Sequence, residues 1–140
     1  MISNKINLDF SHLRILMCDS WEDFLLSTKT LLELHQAMVQ TCQSPTETFD
    51  LIRHGAFNLI VLDVQEIDGW GLIKAIRAHP DPVVNSSPVI AYTARVITPK
   101  EKLALSTGYG FSQVLRKGDI DRLLDCLQNY ANPLRMASGE

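Results

Sequence analysis

Phe57-Asn58-Leu59-Ile60-Val61-Leu62-Asp63 is a short, mainly apolar run, unbroken from Leu59 to Leu62, that ends on a carboxylate. A stretch this short and this uniformly apolar fits a strand buried on both faces, as in a parallel sheet. Three further runs share the design. Leu13-Arg14-Ile15-Leu16-Met17-Cys18 leads to Asp19, Pro88-Val89-Ile90-Ala91-Tyr92 to Thr93, and Phe111-Ser112-Gln113-Val114-Leu115-Arg116 to Lys117. Helix-length segments separate these runs, the spacing of βαβ units. Ligands of open α/β sheets bind outside the carboxyl ends of the strands. Two carboxylates, a hydroxyl and an ammonium thus converge on one mouth, a chemistry suited to a metal and a phosphoryl group.

The intervening segments carry helix signals. Asp19-Ser20 can cap a helix from about Trp21 to His35, with Phe24, Leu25, Leu31, Leu32 and Leu34 as its apolar stripe. Ala37 to Cys42 reads as a further strand. Ser44-Pro45-Thr46-Glu47 and Thr98-Pro99-Lys100-Glu101 both combine a capping hydroxyl, proline at the first position and glutamate at the third. Those helices are expected to close at Gly55 and Gly108. A helix from about Trp70 to Ala78 is followed by breakers at Pro80 and Pro82, and Asp119 caps a last helix to about Tyr130. The expectation is a three-layer α/β sandwich of five parallel strands and five helices with right-handed crossovers. Residues 1–11 read as a flexible arm, 12–131 as one domain, and 132–140 as a flexible tail.

Composition narrows the classes. At 140 residues, 46% hydrophobic and 21% charged, the chain is an ordinary globular domain able to bury a core. A net charge of -3, without a Lys/Arg cluster, argues against direct nucleic-acid binding. No apolar run nears the roughly 20 residues of a membrane helix. Met1-Ile2-Ser3-Asn4-Lys5-Ile6-Asn7 lacks the apolar core of a signal peptide, so a cytoplasmic protein without membrane contact is expected. Cys18, Cys42 and Cys126 form no Cys-x-x-Cys pair and read as small buried hydrophobes in a reducing compartment.

Taken in order, Ile15-Leu16-Met17-Cys18-Asp19-Ser20, Leu59-Ile60-Val61-Leu62-Asp63, Gly69-Trp70-Gly71-Leu72, Val89-Ile90-Ala91-Tyr92-Thr93-Ala94 and Val114-Leu115-Arg116-Lys117 resemble the receiver domain of two-component response regulators. The resemblance spans nearly the whole chain. It implies a flavodoxin-like (CheY-like) sheet of order 2-1-3-4-5. It implies Asp63 as phosphoacceptor, forming an acyl phosphate with a group taken from a histidine kinase or phosphotransfer protein. Lys117 and Thr93 are then the residues that contact phosphoryl oxygens. Asp19, Asp63 and the backbone carbonyl of Gln65 become the Mg²⁺ ligands, the ion neutralising charge in the in-line transition state. Such a domain is a signalling phosphoacceptor rather than an enzyme, with at most self-catalysed transfer and dephosphorylation.

Several positions depart from the family pattern. Ser20 stands where a second acid is expected, so Mg²⁺ should bind weakly unless Glu22 or Glu66 helps. Gly118 replaces a proline in a cis peptide, and a trans bond is expected because a non-proline cis bond costs about 2.5–4 kcal/mol. Val114 replaces the aromatic switch residue, Ile67 a proline and Trp70 an aspartate. Trp21 and Trp70 are expected as half-buried lids at the mouth. Two readings stay open: a phosphorylatable receiver, and a phosphorylation-independent pseudo-receiver that serves as an interaction module. A flavin-binding protein of the same topology is disfavoured, because Asp19-Ser20-Trp21-Glu22-Asp23 sets acids where a phosphate cradle needs glycine and backbone donors. The resemblance also implies a weak homodimer through the fourth helix, fifth strand and fifth helix. Lys100, Lys102 and Arg122 can there face Asp121 and Asp125, with Leu103 and Leu123 as apolar contacts.

Overall fold

The computed structural model describes residues 8–54, 57–64, 69–94 and 96–131. Five strands, β1 (Arg14–Cys18), β2 (Met38–Cys42), β3 (Leu59–Leu62), β4 (Val89–Thr93) and β5 (Gln113–Arg116), form one parallel sheet of order β2-β1-β3-β4-β5. That is the doubly wound order expected. β3 and β4 are buried at every position, as their unbroken apolar sequences require.

Among the described residues, six helices flank the sheet: α1 (Glu22–Glu33), α2 (Pro45–His54), α3 (Gly69–Arg77), α4 (Pro82–Asn85), α5 (Pro99–Gly108) and α6 (Ile120–Ala131). The core is split by the sheet. Ile15, Met17, Val61, Ile90 and Tyr92 pack with α1 and α6 residues such as Leu25, Leu32, Leu123 and Leu127. Leu16, Ile60, Leu62 and Ala91 pack on the other side with Ile52, Ile73, Ile76 and Leu105. Period-two alternation along each strand divides the side chains this way.

Helix starts follow the sequence signals closely. Thr98 and Glu101 make a reciprocal capping box at α5. Ser44 Oγ accepts from the Glu47 amide at α2, and Asp119 Oδ1 from the Arg122 amide at α6. The expected cap of α1 is different: its N-cap is Trp21, without a side-chain bond of its own. α4 is a helix that the five-helix expectation lacks, lying where Pro80 and Pro82 are expected to break the chain. Asp81 accepts from the Val83 amide, Pro82 fills the first turn and Val84 is buried, so the prolines start a turn of helix instead of preventing one.

α5 ends at Gly108 as expected, and the left-handed glycine just beyond it is Gly110 (φ 85). Arg77 runs across it, and a Cβ there would lie 3.0 Å from Arg77 Nε. The Arg77 guanidinium donates to the carbonyls of Gly110, Asn85 and Ser87, tying α3 to the loops beneath β4 and β5.

Residues 8–11 fell within the expected flexible arm, yet Leu8 and Phe10 are buried with the α1 and α6 side of the core. The Phe10 amide donates to His35 O (2.7 Å), and its ring lies 5.7 Å from the His35 ring. Residues 8–11 thus belong to the packed domain rather than to a flexible arm. Residues 1–7, the expected tail 132–140, and Gly55, the expected close of α2, lie outside the described residues.

Candidate functional site

Asp19, Asp63 and Lys117 each follow a strand directly, and Thr93 is the last residue of β4. Their backbones continue the ladder one step past the strands. The Asp19 amide donates to Cys42 O (3.1 Å), the Asp63 amide to Cys18 O (2.9 Å) and the Lys117 amide to Thr93 O (2.7 Å). Each side chain therefore leaves from a rigid sheet edge, which fixes its position more tightly than a free loop could.

Lys117 Nζ donates to Asp63 Oδ2 at 3.0 Å and is ion-paired with Asp19 Oδ2 as well. Among described residues the pocket thus holds two carboxylates around one ammonium. The three side chains are only 3%, 1% and 7% exposed for Asp19, Asp63 and Lys117. Burial pulls the Lys117 ammonium down, but its bonds to Asp19 and Asp63 outweigh this and hold it above the ordinary lysine value. Burial also raises the Asp19 carboxyl, more than Lys117 and the Trp21 amide bring it back. Asp19 Oδ1 accepts that amide at 2.9 Å, so the residue expected to cap α1 anchors its entry instead.

Two partners were not foreseen from the sequence. The ion pair of Lys117 with Asp19 is one. The other is Phe24 of α1, whose ring centre lies 4.8 Å from Lys117 Nζ. Phe24 in turn meets Trp21 (6.0 Å) and Tyr92 (5.6 Å), an aromatic series from the surface to the core. Phe24 was legible only as part of an amphipathic stripe, which does not say that its ring would face a cation. Trp21 lies in the loop as expected but is 60% exposed, while Trp70 is half-buried as expected but sits in the first turn of α3 against Tyr109 and Phe111.

Thr93 is fully buried at the end of β4. Ser20 and Glu22 are both exposed beside the pocket, and the Ser20 carbonyl accepts from Gln43 Nε2. Gln65, Glu66 and Ile67 lie outside the described residues. The Lys117–Gly118 bond is trans, and Gly118 has φ 93, a conformation closed to the proline of the family pattern.

No aromatic side chain stands on β5. Val114 is buried, and it lines a cleft of about 230 Å³ with Val96, Ile97, Lys102, Arg116 and Arg122 on the α5–β5–α6 face. Leu103 of α5 is 64% exposed. Leu123 is not available: α6 turns it inward, fully buried against the sheet.

The family model described as the response regulator receiver domain matches residues 15–128. Solved structures share the fold. The receiver domain of the Francisella response regulator 1452 aligns with a TM-score of 0.76 and 22% identity, covering 87% of this chain and 98% of that one. The chemotaxis response regulator CheY4 of Vibrio cholerae gives 0.73 and 21%, covering 84% and 98%. The non-phosphorylated HemR receiver domain of Leptospira biflexa gives 0.71 and 24%, covering 85% and 94%. No curated protein matches the sequence. With its strand order, its carboxylate–lysine mouth and a family match over most of its length, the chain belongs to the response regulator receiver domain family.

Proposed function

We propose that the chain is a phosphoryl-accepting receiver of two-component signalling, with Asp63 as the acceptor. The observation that carries this reading is the contact of Lys117 Nζ with Asp63 Oδ2 inside a buried mouth. A carboxylate oxygen of Asp63 attacks phosphorus, the bond from phosphorus to a histidine nitrogen of a kinase or phosphotransfer protein breaks, and an acyl phosphate forms. Lys117 already faces the oxygen beside the new charge and needs little movement to follow it. Thr93, ending the neighbouring strand, offers its hydroxyl to a second phosphoryl oxygen. Incubation of the full chain with acetyl phosphate and Mg²⁺ should add one phosphate by intact mass, and Asp63→Asn should add none. Uptake that survives Asp63→Asn would overturn the assignment.

Asp19 and Asp63 provide hard oxygens that fit Mg²⁺, which commonly binds one or two carboxylates and keeps several waters. Bound there, the ion supplies charge neutralisation for the transferred group. Binding should be weak for two reasons: Ser20 contributes no charge, and Lys117 already neutralises Asp19. Gln65 is proposed to add its backbone carbonyl. Trp21 fluorescence can follow the titration, since its amide is bonded to Asp19. Ser20→Asp is expected to tighten Mg²⁺ about tenfold, the equivalent of about 1.4 kcal/mol. An unchanged affinity would mean that another acid already fills that role.

The second reading, a pseudo-receiver that binds partners without phosphorylation, draws on the same departures. Val114 cannot rotate as an aromatic switch does, and Lys117 can keep the two carboxylates quiescent without a metal. Under either reading a weak homodimer through α5, β5 and α6 is proposed, now resting on Leu103, Lys100, Lys102 and Arg122 without Leu123. No helix among the described residues is long and apolar enough to cross a membrane. A cytoplasmic setting remains part of the proposal.

A further inference from the structure

Cys18 ends β1, Cys42 ends β2, and the strand register pairs them directly. Their sulfurs lie 3.6 Å apart, and both thiols are free and buried. Neighbouring strands sit about 4.7–4.9 Å apart, inside the Cα separation of about 4.4–6.8 Å that a disulfide accepts. β2 is an edge strand, free on one side to adjust as the sulfurs close. The Cys42 sulfur would have to leave Thr48 Oγ1, now 2.6 Å away.

The same two residues hold up the pocket. The Cys42 carbonyl receives the Asp19 amide and the Cys18 carbonyl receives the Asp63 amide. Any adjustment that brings the sulfurs together therefore acts on the backbone that aims both carboxylates. Cys126, on α6, has neither a sulfur neighbour of this kind nor a bond to the site residues.

We propose that Cys18 and Cys42 form a reversible disulfide that detunes the carboxylate pocket, with hydrogen peroxide as the oxidant. Both sulfurs are at most 4% exposed, which favours an oxidant little larger than water. One sulfur attacks a peroxide oxygen, the O–O bond breaks, and a sulfenic acid and one water result. The second sulfur then attacks the sulfenic sulfur, the S–O bond breaks and a second water leaves. Two thiols and one peroxide thus give one disulfide and two waters, the sulfurs losing the two electrons that the peroxide gains. A dithiol reverses the bond by exchange.

The experiment uses the full chain carrying Cys126→Ser, so that only the pair remains. Peroxide treatment followed by denaturation and iodoacetamide should leave no alkylated cysteine, where the untreated protein shows two. Intact mass should fall by two hydrogens, and dithiothreitol should restore both thiols. The oxidised protein should show shifted Trp21 fluorescence and take phosphate from acetyl phosphate about tenfold more slowly, the scale on which small misplacements of reacting groups act. Cys42→Ala in the same background should lose both peroxide effects. Two alkylated thiols after treatment, or cross-linked dimers alone, would overturn the disulfide. A disulfide that leaves both fluorescence and uptake unchanged would overturn the coupling to the pocket. The detuning rests on the phosphoacceptor reading only through uptake. If the reduced protein takes no phosphate, that reading fails by itself, while thiol counting and fluorescence still decide the disulfide and its reach.

Discussion

Lys117→Met is expected to cost about 3–5 kcal/mol of folding stability near pH 7, the usual penalty for removing one partner of a buried ion pair. The reason lies in the count of charges. Asp19 and Asp63 are nearly inaccessible, and Lys117 is the cation bonded to both. Without it, two like charges share one dry mouth, which pushes the already raised Asp19 carboxyl further up. A group raised in this way stabilises the fold below its unfolded pKa and loses that contribution as pH rises. Compared at pH 7 and pH 5, the variant should therefore recover part of its deficit at the lower pH, as Asp19 takes up a proton. The parent shares this acid-side trend only through Asp19, which burial already holds above its ordinary value, and it has no missing cation to compensate. Its Lys117 is held above the ordinary value of 10.5, so that contribution is complete at neutral pH and fades only in the alkaline range. Urea unfolding of both proteins at the two pH values measures the difference. Equal stability at neutral pH would show that the ammonium does not neutralise the pair.

Phe10→Ala should be nearly as damaging, at about 3–5 kcal/mol, the range for truncating a buried aromatic ring. Phe10 is fully buried, and its backbone is tied to His35 at the end of the first helical segment. The ring closes the α1 and α6 side of the core beneath β1. A freely moving arm would lose almost nothing on the same substitution. Thermal unfolding of the variant separates the two cases, a drop of several degrees against none.

The difference between these two residues shows where sequence reading succeeds and fails. Asp63 was legible because a buried parallel strand announces itself by an apolar run, and Lys117 because its shorter Val114-Leu115 pair falls at the spacing of a further strand; the residue after each must emerge at the sheet mouth. The capping box at Thr98 was legible because its partners are three residues apart. Phe10 was not, since one aromatic residue among Asp9, Ser11 and His12 has no period to reveal its face. The bond of Lys117 to Asp19 and the approach of Phe24 to Lys117 join residues far apart in the chain. Only the packing of α1 on the sheet decides them. Pro80 and Pro82 were read as breakers, although proline is well suited to a first helical turn once Asp81 supplies the cap.

The proposal as a whole stands on Asp63 carrying the phosphoryl group. Its most direct test is reductive trapping: the chain is treated with acetyl phosphate and Mg²⁺, reduced with borohydride, digested and sequenced by mass spectrometry. Reduction turns an aspartyl phosphate into homoserine, so homoserine is expected at position 63 and at no other aspartate. Homoserine at Asp19 or elsewhere, or its absence from a protein whose Lys117 and Thr93 are intact, would contradict the account.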